Sequence, residues 1–187
     1  MLSGSEVERL LAAFHRPTHR TIAMLCYGAG LRVQEACSLR VADIDGTRKL
    51  LLIRHHSKRD RHRQVPLSKR LHRQLRAYYA HARPRGVYLF PGRTDPTRPI
   101  TCSAFNQMLA LATDRAGIRK QVSAHVLRHS YATHLVEAGV DIRSVQILLG
   151  HSDLRSTLVY VHLTHARRSR LPNPLDMLGT KDAEPFG

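Results

Sequence analysis

The chain has 187 residues and a formal net charge of +16, because 30 Lys and Arg residues face 14 Asp and Glu residues. Its length is typical of one compact domain, and a hydrophobic content of 42% excludes a disordered or collagen-like chain. The sequence has no apolar run of about 18 residues that could span a bilayer. The N-terminus lacks the basic and apolar pattern of a signal peptide, so we predict a cytoplasmic location.

The three cysteines, Cys26, Cys37 and Cys102, are far apart in the sequence, and no two form a Cys-x-x-Cys pair. An odd count without such a pair argues against a disulfide framework and against a zinc site built from cysteines. Aromatic residues make up only 5% of the chain. We therefore predict a mainly aliphatic core in which the cysteines are small, reduced side chains.

Three helices are predicted at the start of the chain. Ser3 or Ser5, each three residues before a Glu, can cap an amphipathic helix. Pro17 opens a second helix, which ends near Gly28. A third, short helix follows over 32–39.

The hydrophobic period then changes to that of β-strands, over 41–45, 50–55 and 63–65. An Asp-Gly pair forms the first turn between them, and the basic stretch 56–62 forms the second. These three segments predict a small antiparallel sheet.

Helical spacing returns in the rest of the chain. The predicted helices cover 68–82, 101–116, 124–138 and 141–149, and a last one starts near Asp153. Together the elements predict an α+β fold that is mostly helical, with one small three-stranded antiparallel sheet.

Arginine dominates the positive charge, with 25 Arg against 5 Lys. Its planar guanidinium matches two phosphate oxygens at once, so nucleic acid is the predicted partner. The residues 54–85 contain eleven Lys and Arg and a single acid, Asp60. A solvated surface is the alternative interpretation. A membrane surface is disfavoured, because Pro66 and a strand-like segment replace a long basic amphipathic helix.

Two spacings in the C-terminal half bring reactive side chains together. His125 and Arg128 are three residues apart in a predicted helix, so a titratable imidazole and a cation lie on one face. Gly150 ends the next helix, His151 follows it in the turn, and Tyr160 lies nine residues later. Such a turn can bring the imidazole and the phenol to one site.

Four segments carry the candidate reactive residues: GLRVQE at 30–35, HSKRDRHRQVPLS at 56–68, AHVLRHSYATHL at 124–135 and LLGHSDLRSTLVY at 148–160. In these segments the chain resembles the catalytic domain of the tyrosine recombinases, also called the phage integrase family. The family's signature is an Arg at a Gly-Leu-Arg helix start, a Lys on a β-hairpin, a His-x-x-Arg pair, and a His or Trp nine residues before the nucleophilic Tyr. The matching residues are Arg32, Lys58, His125, Arg128, His151 and Tyr160.

The resemblance implies a site-specific DNA recombinase or integrase that needs no metal, cofactor or ATP. Tyr160 would attack a DNA phosphate and form a 3′-phosphotyrosyl link, with His125 as the proton acceptor. Two guanidinium groups, those of Arg32 and Arg128, would stabilise the transition state, and His151 would donate to a phosphate oxygen. Lys58 would protonate the leaving 5′ oxygen. Independently of the resemblance, Glu35 lies one helical turn after Arg32, so its carboxylate can hold the Arg32 guanidinium.

The resemblance also implies double-stranded DNA as partner and an association with the bacterial nucleoid. The arginines of the basic turn, Arg59, Arg61 and Arg63, would contact DNA beside Lys58. The catalytic domain would cover 1–170, and the tail 171–187 would mediate self-association on DNA. The family's usual N-terminal core-binding domain is predicted to be absent from this chain.

Four alternatives stay open at this point. The chain can be a DNA-binding protein with this fold that does not cleave, or a relative whose main activity is topoisomerase-like relaxation of supercoiled DNA. Tyr131 is a rival nucleophile. A zinc site built from His125, His129 and His134 is disfavoured because no His-Glu-x-x-His arrangement accompanies them.

Overall fold

The computed structural model describes residues 1–54 and 62–150. In these residues the chain forms the α-helices α1 (Gly4–Ala12), α2 (Pro17–Gly28), α3 (Val33–Cys37), α4 (Lys69–Ala82), α5 (Cys102–Arg115), α6 (Ala124–Glu137) and α7 (Ile142–Leu149). The strands β1 (Ile44–Asp45), β2 (Leu50–Ile53) and β3 (Arg63–Pro66) form an antiparallel sheet in the order β1-β2-β3. The predicted α+β architecture, mostly helical with a three-stranded sheet, is confirmed.

The helices begin where the sequence offers capping groups. Ser3, and not Ser5, caps α1, because its Oγ accepts from the Glu6 N–H at 3.2 Å while the Glu6 carboxylate accepts from the Ser3 N–H at 2.7 Å. Pro17 takes the first turn of α2. The remaining caps are Ser68 for α4, Thr101 for α5, Ser123 for α6 and Asp141 for α7. Each cap satisfies a backbone N–H that the helix itself leaves unpaired.

The first predicted strand is shorter than expected. The segment Val41–Asp43 forms a 3-10 turn instead of a strand, and only Ile44–Asp45 pairs with β2. The buried carboxylate of Asp43 accepts from the Arg40 N–H at 3.4 Å and from Arg54 Nε at 2.7 Å. An aspartate side chain that binds nearby backbone offers the chain an alternative to the sheet ladder, so the turn forms here.

Helix α2 lies in the centre of the core. Its Ile22, Leu25 and Cys26 are fully buried, and the core around them is mainly aliphatic, as predicted. Cys37 is also buried, Cys102 is only partly buried, and all three thiols are free. Burial raises the pKa of Cys26 to about 12, so this thiol stays protonated at neutral pH.

A second, smaller apolar cluster joins α6 to α7. It consists of Ala132, Val136, Val145 and Leu149. These contacts fix the C-terminal end of α7 against α6, which matters for the site described below. The predicted helix near Asp153 and the tail from 171 lie outside the described residues. No helix within 1–54 and 62–150 has the length and apolarity that crossing a membrane requires.

Candidate active site

The segment between α2 and α3 carries the first predicted site residue, Arg32. Gly30 adopts a φ of +63°, and a Cβ at this position would lie 2.6 Å from the ring of Tyr131 on α6. Both observations require glycine, which has no Cβ and tolerates positive φ. Arg32 follows as the N-cap residue of α3, with 46% of its side chain exposed. The glycine therefore brings the chain against α6 just before Arg32.

Glu35 holds Arg32 through two contacts. Arg32 Nη1 donates to Glu35 Oε1 at 3.0 Å, and the Arg32 backbone N–H donates to Oε2 at 2.8 Å. The side chain of Glu35 is only 8% exposed. The contact expected between Glu35 and the Arg32 guanidinium is present in the structure.

Arg63 of β3 makes a second and shorter contact with the same carboxylate. Its Nη1 and Nη2 donate to Glu35 Oε1 and Oε2, both at 2.7 Å, in a bidentate pair. The side chain of Arg63 is 9% exposed. This placement differs from the predicted contact of Arg63 with DNA, because the guanidinium faces inward and its two terminal nitrogens hold Glu35.

Arg128 of α6 is the other buried arginine of the site. Its Nη1 donates to the carbonyl of Gly30 and its Nη2 to the carbonyl of Leu149, both at 2.7 Å. Nη1 also lies 3.9 Å from Glu35 Oε2. Three guanidinium groups, those of Arg32, Arg63 and Arg128, therefore surround a single carboxylate.

These cations control the ionisation of Glu35. Burial on its own raises the pKa of a carboxylate, but the hydrogen bonds and charge of Arg63 act against it, followed by those of Arg32. The result is a pKa of about 2 for Glu35. The carboxylate is therefore ionised throughout the neutral range.

The C-terminal end of α7 completes the cluster with three consecutive carbonyl groups. The carbonyl of Leu148 accepts from Arg63 Nε at 3.2 Å, that of Leu149 from Arg128, and that of Gly150 from Arg32 Nη2 at 3.4 Å. The last carbonyls of a helix lack partners within it and carry partial negative charge, so cations stabilise them. The three arginines thus fix the end of α7, directly before His151 in the sequence.

His125 lies in the first turn of α6 and is exposed. Arg128 lies one turn further and is buried, so the helix presents the imidazole at the surface and the guanidinium in the interior. The rival nucleophile Tyr131 packs against Gly30. Burial raises the pKa of Tyr131, although the charge of Arg128 partly opposes this. A raised pKa makes the Tyr131 phenol a poorer nucleophile.

Five predicted site residues lie outside the described residues. They are Lys58, Arg59, Arg61, His151 and Tyr160. In the sequence, the first three stand between β2 and β3, and the other two follow α7. Their assignments stay predictions.

One of the three histidines considered as zinc ligands, His134, contacts a tyrosine. His134 Nδ1 lies 2.9 Å from the hydroxyl of Tyr27, in hydrogen-bond contact. Over 1–54 and 62–150, no three His, Cys, Asp or Glu side chains come together in a way that could hold a metal ion.

The role of backbone carbonyls and of Arg63 at this site does not follow from the sequence. The sequence predicts that Gly150 ends a helix, but nothing in the spacing of Gly30, Leu149 and Gly150 indicates that arginines bind their carbonyls. The sequence did contain one signal for Arg63. Arg63 lies two residues before the buried Val65, and the two-residue period of a strand places both side chains on the same face.

Comparisons with known proteins agree with the motifs. The model of the phage integrase family matches residues 1–167. The chain is 38% identical over 178 residues to a putative integrase/recombinase of Sinorhizobium fredii, which covers 95% of this chain and 57% of that protein. The chain therefore spans little more than half the length of this relative.

Two solved structures share the fold. The crystal structure of XerA recombinase superposes with a TM-score of 0.80 at 30% identity, over 92% of this chain and 65% of that chain. The XerH site-specific recombinase, bound to its palindromic difH substrate in a post-cleavage complex, gives a TM-score of 0.76 at 24% identity. That match covers 90% of this chain and 51% of the other.

Proposed function

Because the chain belongs to the phage integrase family, we propose that it is a site-specific DNA recombinase that cuts and rejoins DNA strands through a 3′-phosphotyrosyl link. One observation carries this proposal most directly. The guanidinium groups of Arg32 and Arg128 converge on Glu35 and on the end of α7, although they are 96 residues apart in the sequence. Two fixed cations at one point suit a reaction at a single phosphate.

In the proposed cleavage step, Tyr160 Oη forms a bond to phosphorus while the bond from phosphorus to the 5′ oxygen breaks. A free tyrosine has a pKa near 10, so only about 0.1% is ionised at neutral pH and the phenol needs a proton acceptor. His125, exposed on the first turn of α6, takes this role. Lys58, between β2 and β3 in the sequence, gives a proton to the departing 5′ oxygen.

Arg32 and Arg128 act on the two non-bridging oxygens, where negative charge grows in the transition state. Because carbonyl groups already fix the guanidinium of Arg128, it needs no reorganisation when this charge develops. Arg32 is nearly half exposed, so it has an open edge for the phosphate. His151 adds a hydrogen bond to the same group.

The rejoining step is the reverse reaction with a second strand. A free 5′ hydroxyl attacks the phosphotyrosyl phosphorus, the bond to Tyr160 breaks, and the phenol regains its proton. The covalent link keeps the energy of the phosphodiester, so the cycle balances without ATP.

The proposed partner is double-stranded DNA, and the net charge of +16 supports it. Neutralising about 6 to 10 phosphates would make affinity fall by about 10³ to 10⁵ between 50 and 200 mM salt. We also propose that the tail 171–187 mediates self-association on DNA, that 1–170 is the catalytic domain, and that the protein acts at the nucleoid. Arg59 and Arg61 remain the proposed DNA contacts of the basic turn.

The test uses the full chain and a pool of nicked duplexes of randomised sequence, in which the short strand beyond the cut diffuses away. We expect a denaturant-resistant adduct between protein and DNA. Tyr160→Phe should abolish it, while the matched control Tyr131→Phe should leave it, since both changes remove one hydroxyl. Sequencing the trapped DNA would then identify the target site.

Two results would contradict the proposal. An adduct that survives Tyr160→Phe would exclude this residue as the nucleophile. Salt-sensitive binding to the pool without any adduct would favour the alternative, a DNA-binding protein with the recombinase fold that does not cleave.

A further inference from the structure

Arg63 is a buried arginine that the proposed reaction does not use. Its two terminal nitrogens hold the two oxygens of Glu35 at 2.7 Å, and 9% of its side chain is exposed. A DNA phosphate cannot occupy the same bidentate edge while Glu35 does. A contact with the DNA backbone therefore does not explain why the Arg63 guanidinium faces inward.

The contacts of Arg63 join three segments of the chain. Arg63 belongs to β3, Glu35 to α3, and the Leu148 carbonyl that accepts from Arg63 Nε to the end of α7. A Cβ at Gly150 would lie 2.8 Å from Arg63 Cδ, so the stem of the arginine packs directly against the turn that ends α7. One side chain thus ties β3 to both of the other elements.

Each of these segments adjoins a residue of the proposed reaction in the sequence. Arg32 stands at the N-terminus of α3, His151 directly follows Gly150, and Lys58 stands between β2 and β3. A shift of β3 relative to α3 or α7 would change the relative placement of the groups that act on the phosphate. Rates fall steeply when such groups are displaced by as little as about 1 Å.

The charges around Glu35 point to a second role for Arg63. A carboxylate paired with Arg32 alone would cancel the charge of that guanidinium. Arg63 holds both oxygens at 2.7 Å, closer than the 3.0 Å of Arg32 Nη1, so the negative charge of Glu35 is shared. With Arg128 included, three cations and one anion leave a net charge of +2, which suits a phosphate that gains negative charge in the transition state.

We propose that Arg63 is a positioning residue for DNA cleavage, which fixes Glu35 and through it the direction and the effective charge of Arg32. This inference rests on the proposed function, because the phosphate it serves is the one that Tyr160 attacks. In this proposal Arg63 acts through Glu35 and makes no direct contact with the phosphate.

The test compares Arg63→Met and Arg63→Lys in the full chain, with the pool of nicked duplexes as substrate. Two quantities are measured: the rate of adduct formation at saturating DNA, and the DNA concentration that gives half of this rate. For Arg63→Met we expect a rate about 10- to 100-fold lower, the range typical of losing a group that orients a direct ligand. The half-saturating DNA concentration should stay within about twofold, which a contact with the DNA backbone would not allow.

A double-mutant cycle tests whether Arg63 acts through Arg32. In an Arg32→Met background, we expect Arg63→Met to lower the rate by less than about twofold, because interacting residues are not additive. The matched control is Arg48→Met, which removes an exposed arginine paired with Asp45 at 3.8 Å in the turn between β1 and β2. This control should keep the wild-type rate.

Three results would overturn the inference while leaving the proposed function intact. The first is an Arg63→Met protein with the wild-type rate at saturating DNA but a higher half-saturating concentration. The second is a full additional loss in the Arg32→Met background. The third is a folded Arg63→Lys protein with the wild-type rate, since a lysine lacks the planar guanidinium that pairs with both carboxylate oxygens through two parallel N–H groups. If the wild-type chain forms no adduct, the proposed function fails and the inference fails with it.

Discussion

Arginines serve two different purposes in two regions of this molecule. Around Glu35, the side chains of Arg63 and Arg128 are 9% and 5% exposed, and each is held by carbonyl or carboxylate oxygens within 3.2 Å. On the outer face of α4, Arg70, Arg73 and Arg76 are exposed. Arg70 lies 3.7 Å from Glu8, and both of these side chains are largely in solvent.

The arginines behind the net charge of +16 therefore form two groups, one exposed to solvent and one buried, whose interactions differ in strength. An exposed ion pair contributes about 0 to 1 kcal/mol to stability, and salt screens it. A buried guanidinium has lost its water, so every N–H without a protein partner would be costly. The exposed arginines are therefore available to a polyanion, whereas the buried guanidinium groups are held in one fixed geometry by their hydrogen-bond partners.

The largest effect is expected for Arg128→Met. The carbonyls of Gly30 and Leu149 lose their donor, and each unpaired buried carbonyl costs about 1 to 3 kcal/mol. If Arg128 also stabilises the transition state, the rate of adduct formation falls by about 10²- to 10³-fold. Urea unfolding and adduct trapping on the nicked pool measure the two losses. Unchanged unfolding would mean that this arginine behaves like those on α4.

The next effect concerns the pH dependence of stability through Glu35. Its pKa in the folded chain is about 2, below the ordinary value of 4.5, so its contribution is complete above the unfolded pKa and is lost as the pH falls toward 2. The difference between these values corresponds to about 3 kcal/mol. Between pH 6 and pH 2, we expect the free energy of unfolding to fall further in the wild type than in Glu35→Gln. The difference between the two decreases should be about 3 kcal/mol.

Glu6→Gln is the matched control for this titration. The pKa of Glu6 is also about 2, because Lys120 and the Ser3 N–H donate to its carboxylate, but it lies on another surface of the molecule. The difference attributed to Glu35 should therefore persist in the Glu6→Gln background. Parallel pH curves for wild type and Glu35→Gln would show that the arginine cluster does not hold this carboxylate.

An intermediate case is the pair of Asp43 and Arg54, joined at 2.7 Å, in which the acid is buried and the arginine is 41% exposed. Asp43→Asn should cost about 1 to 2 kcal/mol in urea unfolding, because the guanidinium can turn to water when its partner loses charge. Adduct formation should stay within twofold of wild type. If Asp43→Asn lowers the free energy of unfolding as much as Glu35→Gln does, half-exposed and buried ion pairs do not differ in this protein.

The smallest effect on stability is expected on α4. Arg73→Gln combined with Arg76→Gln should change the free energy of unfolding by less than about 0.5 kcal/mol for each residue. Fluorescence anisotropy measures binding to a duplex of random sequence across a salt series. The slope of log affinity against log salt concentration should be lower by about one for each arginine removed. An unchanged slope would place α4 away from the DNA.

Much of the fold could be predicted because its signals are local. Ser3 with Glu6, Pro17, and the glycines after α2 and α7 act on residues within a few positions, so the helix limits follow from the sequence. The strand predicted over 41–45 is wrong in its first part, because a contact with a residue outside this segment acts there. The side chain of Asp43 binds Arg54, which directly follows β2, and the hydrophobic period does not reveal this contact.

The candidate site was predictable only in part. The spacing of Arg32 and Glu35 fits one helical turn, so their contact could be expected. The inward orientation of Arg63 could not, because a basic turn rich in arginine is more commonly solvated and the acid that binds Arg63 is 28 residues away. The exposure of His125 beside a buried Arg128 likewise depends on what packs against α6.

By itself, the sequence determined the helices and the sheet, the family signature and the excess of arginine, since these depend on residue types and short spacings. Only the tertiary structure decided which arginines are exposed and which have buried side chains held by protein oxygens. Burial and the choice of hydrogen-bond partner depend on segments far apart in the chain. Here α3, β3 and the end of α7 meet around one carboxylate, and that meeting makes Arg63 and Arg128 internal cations.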